Sequence, residues 1–475
     1  MRSTCAVIST VLTIVLLAAC VPGCRKDASL DGAGGMPEGY EPGEELGGGT
    51  TTTSDLGENA FNHAAANLSD EENSRFVVGN SFFRQNWVTA PASTEGRDGL
   101  GPLFNSLSCS GCHLRDGRGQ PPQDPMAVTG FLFRLSVPGT NEHGGPLPHP
   151  VYGAQFQPHG ILGVPGEGSF SITSESITGA FADGTPYELM RPVYAFHDNP
   201  YGPLDDALTS PRVAPQMSGM GLLQAIREAD ILANTTITAD GISGRVNRVH
   251  DVAQNTTVLG RFGWKANEPT VRQQIASAFN GDIGITSSLF PQDHCTPAQP
   301  ACLTALNGNS DGDPFELKPN TFGMVAFYAA TLSVPVRRNA QDPTVLEGKA
   351  IFNRIGCAHC HRPKYVTGSS DVSPALSGQT IRPYTDLLLH DMGPDLADGR
   401  PDFLADGQEW RTPPLWGIGL FQSASGHTRY LHDGRARDLN EAVLWHGGEA
   451  APAQQRYLQL TAAERQALIT FLNSL

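Results

Sequence analysis

Apolar and polar positions are distributed unevenly along the chain. After Arg2, residues 6–19 form an apolar run with the length of a signal-peptide core, too short to span a bilayer as a helix. Residues 25–57 hold few apolar positions and are rich in Gly, Glu, Asp and Thr, including Gly47-Gly48-Gly49-Thr50-Thr51-Thr52-Thr53. This predicts a disordered tether over 21–57 with a reach of roughly 30 Å. Helical periodicity is clearest at the C-terminus. Thr461 and Glu464 form a capping box, and Leu468, Phe471, Leu472 and Leu475 share one face. A second apolar helix is predicted over 321–332, with Phe327 and Tyr328. Between them, Ser169-Phe170-Ser171-Ile172-Thr173 alternates with period two and predicts a small β element.

The pattern repeats. Phe104-Asn105-Ser106-Leu107-Ser108-Cys109 matches Phe352-Asn353-Arg354-Ile355-Gly356-Cys357, and Arg212-Val213-Ala214-Pro215 matches Arg411-Thr412-Pro413-Pro414. Met217-Ser218-Gly219-Met220-Gly221-Leu222 matches Leu415-Trp416-Gly417-Ile418-Gly419-Leu420, and each half closes on an apolar helix. The expected organisation is a signal peptide at 1–20, the tether at 21–57, a first domain at 58–340 and a second at 341–475. The fold class expected is mainly α: two cytochrome c-like domains from an internal duplication, the first enlarged by loop and β insertions.

Composition narrows the function classes. A net charge of −16 argues against nucleic acid or an anionic membrane surface as partner, because both need clustered Lys and Arg. Leu17-Ala18-Ala19-Cys20 resembles the lipobox of bacterial lipoproteins, with Val21 favouring the outer membrane. The expectation is a periplasmic or outer-membrane lipoprotein of a Gram-negative bacterium, touching the membrane only through a lipid on Cys20. Of nine Cys, Cys5 leaves with the signal and Cys24 lies in the tether. Cys295 and Cys302 are expected to form a short-loop disulfide.

The remaining four belong to Cys109-Ser110-Gly111-Cys112-His113 and Cys357-Ala358-His359-Cys360-His361. Two thiols three positions apart can add to the two vinyl groups of one haem, and the following His then lies under the iron. Cys109, Cys112, Cys357 and Cys360 are therefore the expected covalent attachment points of two haem c groups. His113 and His361 are the expected proximal iron ligands. A dithiol or zinc reading is the alternative. It needs either a βαβ frame after the motif or one merged site, and 245 residues separate Cys112 from Cys357.

The chain also resembles the di-haem oxidoreductases described as putative peroxidases, a family of exported two-CxxCH proteins distantly similar to bacterial di-haem cytochrome c peroxidases. The resemblance rests on Asp98-Gly99-Leu100-Gly101-Pro102-Leu103-Phe104-Asn105, Ser210-Pro211-Arg212-Val213-Ala214-Pro215, Gly260-Arg261-Phe262-Gly263-Trp264-Lys265, Leu389-His390-Asp391-Met392-Gly393 and Trp410-Arg411-Thr412-Pro413-Pro414-Leu415-Trp416. It implies an electron-transferring haem oxidoreductase with a redox partner protein, reducing peroxide at a high-spin haem fed by a low-spin one. It also implies a distal Met in a Tyr-Met-His-Asp-Gly segment. Here that segment is Tyr430-Leu431-His432-Asp433-Gly434, and Leu cannot ligate iron. A distal His soon after the first motif is missing too, since the next after His113 is His143.

Met392 is the leading distal candidate for the second haem, ahead of His390 and of plain core packing. Met217 and Met220 are candidates for the first, with core packing preferred. Glu167, Glu175, His159 and His197 are undistinguished acid–base candidates, and Arg212 and Arg411 could pair haem propionates. An interdomain calcium would suit the resemblance, at Asp240-Gly241 or Asp311-Gly312-Asp313, though turn chemistry explains both loops. A non-catalytic electron carrier is the other reading kept open.

Overall fold

A computed structural model describes residues 37–94, 96–123, 129–309 and 314–475. The signal peptide, Cys20, Cys24 and the Asp311–Asp313 loop lie outside the described residues.

Two helix crossings organise the chain. Helix Asp70–Arg84 starts on a Ser69/Glu72 capping box and packs on helix Pro319–Ala330, which opens with Pro at its first position. In the second half, the Asp342 side chain caps helix Pro343–Arg354. That helix packs on Ala462–Ser474, which begins on the expected Thr461/Glu464 box. Both crossings are tight because each has a glycine at the contact. A Cβ on Gly79 would come within 2.7 Å of the Tyr328 Cβ, and one on Gly348 within 2.7 Å of the Phe471 Cβ. One turn on, Phe83 packs on Tyr328 and Phe352 on Phe471, both at 5.2 Å between ring centroids.

The two halves carry helix crossings of matching geometry, but the sequence alignment between them needs one correction. Phe104 does not play the role of Phe352. It lies in the two-residue strand Leu103–Phe104, paired with His159–Gly160, and Phe83 takes the helical place. The first half inserts its extra residues between Phe83 and Cys109, which broke the register read from the sequence. The later match holds: Gly219 and Gly417 both adopt left-handed backbone (φ of 69° and 75°) as N-caps of short helices. A Cβ on Gly221 or Gly419 would run into a carbonyl of the closing helix, Ala330 O or Asn473 O respectively.

The fold is not mainly α. Helix accounts for 29% and strand for 19%, spread over several small sheets. The alternation at 169–173 is the start of a twelve-residue antiparallel hairpin, Ser169–Ala180 against Pro186–His197. A second pairing joins Phe131–Thr140 to Leu208–Val213. Phe131, Phe133, Phe170, Tyr194 and Phe196 pack between these sheets. Abundant Gly and Pro keep the helices short, and the first-half insertion supplies most of the strand.

Residues 38–57 are also not a tether. Glu44 is buried and pairs with Arg337 (3.1 Å) and Lys349 (2.5 Å). The Arg382 N–H donates to Gly47 O, and the Thr53 N–H to Val334 O. One carboxylate held by two cations anchors a stretch whose composition reads as disordered. Cys295 and Cys302 form the expected disulfide. No described helix is long and apolar enough to cross a membrane.

Two cavities at the CxxCH motifs

Each motif lines its own cavity, of about 180 Å³ for the first and about 200 Å³ for the second. Cys109–Cys112 is a single helical turn after Ser108, and Cys357–His359 is a 3₁₀ turn after the left-handed Gly356. Both turns follow a Phe of the helix crossing, which places that ring beside the motif's His. The centroid separations are 6.3 Å for Phe83–His113 and 6.2 Å for Phe352–His361.

The donor sets fit a covalently held haem. Burial pushes the His113 pKa below the usual range and that of His361 to about 4, so both imidazoles are neutral, as iron ligation requires. His361 Nδ1 donates to Tyr384 O at 2.9 Å, leaving Nε2 free. This is the orientation a metal-bound imidazole adopts. His113 Nδ1 is buried with no hydrogen-bond partner. Burial raises the thiols, Cys112 and Cys357 to about 12. They are therefore poor thiolates for zinc or for dithiol exchange, though well placed beside an apolar cavity.

Met392 is partly buried in the wall of the second cavity, packed on the cluster of Val213, Trp264 and Trp410. His390 also lines this cavity, but both ring nitrogens are taken, by Asp386 Oδ2 and Glu449 Oε2 at 2.8 Å each. Burial alone would lower its pKa; the hydrogen bonds to Asp386, Cys360 and Glu449 raise it to about 12. As an imidazolium it has no lone pair for a metal. The same bonds account for the clustering of Cys360, Asp386 and His390, whose donor atoms lie within 4.8 Å of one another. Met217 and Met220 line the first cavity, Met217 as buried core.

The acid–base candidates are elsewhere: Glu167, Glu175, His159 and His197 line neither cavity. Glu167 is buried on Gln157 N and Gln299 Nε2, which makes it structural. Arg212 and Arg411 are in place. Arg212 lines the first cavity, paired with Asp402 at 3.1 Å, and Arg411 lines both cavities. Asp240 pairs with Arg456 (2.6 Å) and lies 3.4 Å from His359 Nδ1, so its carboxylate already has a guanidinium partner.

Several groups at the cavities had no role assigned from the sequence, although His432 and Trp264 stand in stretches that carry the family resemblance. In the first, Arg134, Asn267, Gln274 and Asp282 form a polar wall, and Asn267 Oδ1 is buried without a partner. In the second, His432 stacks on Trp410 (3.8 Å), and His446 lies 6.5 Å from the His361 ring. Arg118 also lines the second cavity, although it follows the first motif. Trp264 lines both cavities, its indole N–H donating to Val213 O at 2.8 Å. Only spatial proximity across about 150 residues of chain makes a partition of Trp264 and Arg411.

The model of the family described as "Di-haem oxidoreductase, putative peroxidase" matches residues 42–475. No curated protein matches the chain. A solved structure of hydrazine synthase from Kuenenia stuttgartiensis, pressurised with 20 bar xenon, is 12% identical over 84% of this chain and 92% of that one, with a TM-score of 0.31. Similarity at that level carries no argument about fold or function.

Proposed function

The chain belongs to the di-haem oxidoreductase, putative peroxidase, family; from that premise we propose that it is an exported c-type cytochrome moving electrons between two covalent haems and reducing peroxide at the first. One observation carries the reading: the two motif-lined cavities share Gln216, Trp264 and Arg411 in their walls, which makes neighbours of two groups attached 245 residues apart. Cys109 and Cys112, and Cys357 and Cys360, hold the haems, with His113 and His361 as proximal ligands of the first (58–340) and second (341–475) halves.

A bound haem would supply one-electron chemistry and, at one of the two sites, the reduction of peroxide. The residues opposite decide which haem does which. Met392, packed among Trp264 and Trp410, offers the second haem a thioether, which suits an electron-transfer site. The first cavity instead presents Arg134, Asn267 and Gln274, which can bind and orient a peroxide, with the Asp282 carboxylate beside them. The charge of −16 suits a basic redox partner protein, and residues 1–20 suit export with a lipid on Cys20.

A pyridine haemochrome assay should find two haems per chain, and the oxidised spectrum one high-spin and one low-spin. Met392→Ala should convert the low-spin haem to high-spin. Fewer than two haems would sink the reading outright. Two low-spin haems without peroxide turnover would leave a pure electron carrier.

A further inference from the structure

The loop after the first motif crosses to the second cavity. Arg115 and Asp116 turn the chain through left-handed backbone (φ of 51° and 60°). Arg115 then donates to Ala424 O, the Arg118 N–H donates to Ser425 Oγ at 2.9 Å, and His427 Nε2–H donates to Arg118 O at 2.9 Å. These bonds fix Arg118, five residues after His113, in the wall of the other half's cavity.

The side chain is 5% exposed. Its Nη2 donates to the Leu431 carbonyl, its Nε has no partner, and its guanidinium lies over the Trp264 ring at 5.1 Å. Burial lowers its pKa to about 10, so it stays charged at neutral pH. Among the described residues no carboxylate pairs with it. Arg212 and Arg400 are compensated by Asp402, Arg337 by Glu44 and Arg465 by Asp183. Arg411, also buried, has no carboxylate at ion-pair distance among the described residues but donates to Gly263 O and Thr412 O, whereas Arg118 keeps an unpartnered Nε. A buried charge without a counter-ion is strongly unfavourable. The position therefore calls for an anion that arrives with whatever fills the cavity. A haem brings two carboxylates.

We propose that Arg118 is the counter-ion of a propionate on the second haem, so that the attachment loop of the first haem sets the charge at the second. The inference rests on the reading that this cavity holds a haem. A fixed positive charge beside a haem favours its reduced state, because the ferric form carries one more positive charge. Removing it must lower that haem's midpoint potential.

The test compares full-length holoprotein carrying Arg118→Gln, Arg118→Lys or neither. Haem is counted first: a wild-type chain with fewer than two haems defeats the cofactor reading, not this assignment. With two haems present, spectropotentiometry should show one midpoint falling in R118Q by a tenfold or greater change in redox equilibrium constant, about 59 mV for one electron. The other should move less, and R118K should stay near wild type. The propionate-bending resonance Raman band of that same haem should shift in R118Q, which a merely structural role would not produce. Should R118Q load one haem only, R118K carries the test through that band, because the planar fork is lost while the charge stays. Unmoved midpoints and bands overturn the proposal. So does a variant whose only change is weaker azide or fluoride binding to the ferric protein, since Arg118 would then face an exogenous anion.

Discussion

Helices Asp70–Arg84 and Pro319–Ala330 cross at Gly79 in the first half as Pro343–Arg354 and Ala462–Ser474 cross at Gly348 in the second. The ring-to-His separations at the two crossings agree within 0.1 Å (6.3 and 6.2 Å). What surrounds them does not agree. His361 is anchored on Tyr384 O while His113 Nδ1 is unpartnered. Trp410, Met392 and His432 line only the second cavity; Arg134, Asn267, Gln274 and Asp282 line only the first. The crossing is the part needed to hold a CxxCH motif. The surroundings are free to differ, and the proposed function rests on that difference.

The strongest challenge to this comparison is to remove the shared part. Phe83 and Phe352 are both nearly fully buried, so Phe83→Ala and Phe352→Ala should each cost about 4 kcal/mol, read by denaturant unfolding of the holoprotein. If one variant lost less than about 1 kcal/mol, the two crossings would not be equivalent.

Titration should separate the halves next. In the first, burial raises the Asp116 pKa from 3.8 to about 7, with the Tyr328 hydrogen bond (2.8 Å) opposing it only in part. A raised folded-state pKa means that Asp116 contributes fully below pH 4. Its contribution fades as pH rises towards 7, by about 1.4 kcal/mol per unit and roughly 4 kcal/mol in all. Asp116→Asn, which keeps an acceptor for Tyr328, should flatten that slope. In the second half the sign reverses. Burial would raise the Asp433 pKa, but His432 and Arg435 outweigh it and hold the group at about 2. Its contribution of about 2 kcal/mol is present above pH 4 and lost as pH falls towards 2. Asp433→Asn should therefore destabilise the protein at pH 7 and make little difference near pH 2. Equal slopes for both variants would erase the distinction.

Much of the comparison was legible in the residues. The CxxCH motifs, the C-terminal helix with its Thr461/Glu464 box and the paired turns at Gly219 and Gly417 could all be read because each is a local signal. The crossing at Gly79 was missed although Gly79 and Phe83 stand four apart, as do Gly348 and Phe352. The first half delays its motif to Cys109, so the eye aligned Phe104 instead. The strand content went unread because the hairpin at 169–197 is half exposed, with apolar positions too scattered for a period-two pattern beyond 173. Glu44 and Arg118 failed for another reason. A single charged residue in a polar stretch looks solvated, and only the fold shows which one is buried.

The smallest effect tests how each crossing is tied to the rest. Both have one capping box, but on different members of the pair: Ser69/Glu72 opens the helix before the first motif, and Thr461/Glu464 opens the closing helix of the second. Ser69→Ala and Thr461→Ala should each cost about 1 kcal/mol. The Glu of each box makes one further bond. Glu72 Oε1 accepts from Ser373 Oγ at 2.6 Å, across to the other half, whereas Glu464 Oε1 accepts from Arg354 Nη2 at 2.6 Å, within its own crossing. The Ser373 bond is partly buried and the Arg354 pair is solvent-exposed, so water and salt weaken the second more. Double-mutant cycles should then give a coupling of about 1 kcal/mol for Glu72→Gln with Ser373→Ala, and less than about 0.5 kcal/mol for Glu464→Gln with Arg354→Ala. The first should be insensitive to salt and the second should vanish in 1 M NaCl. The reverse ranking would mean that the Glu72–Ser373 bond contributes nothing to the union of the halves, leaving it to contacts such as the Arg212–Asp402 pair.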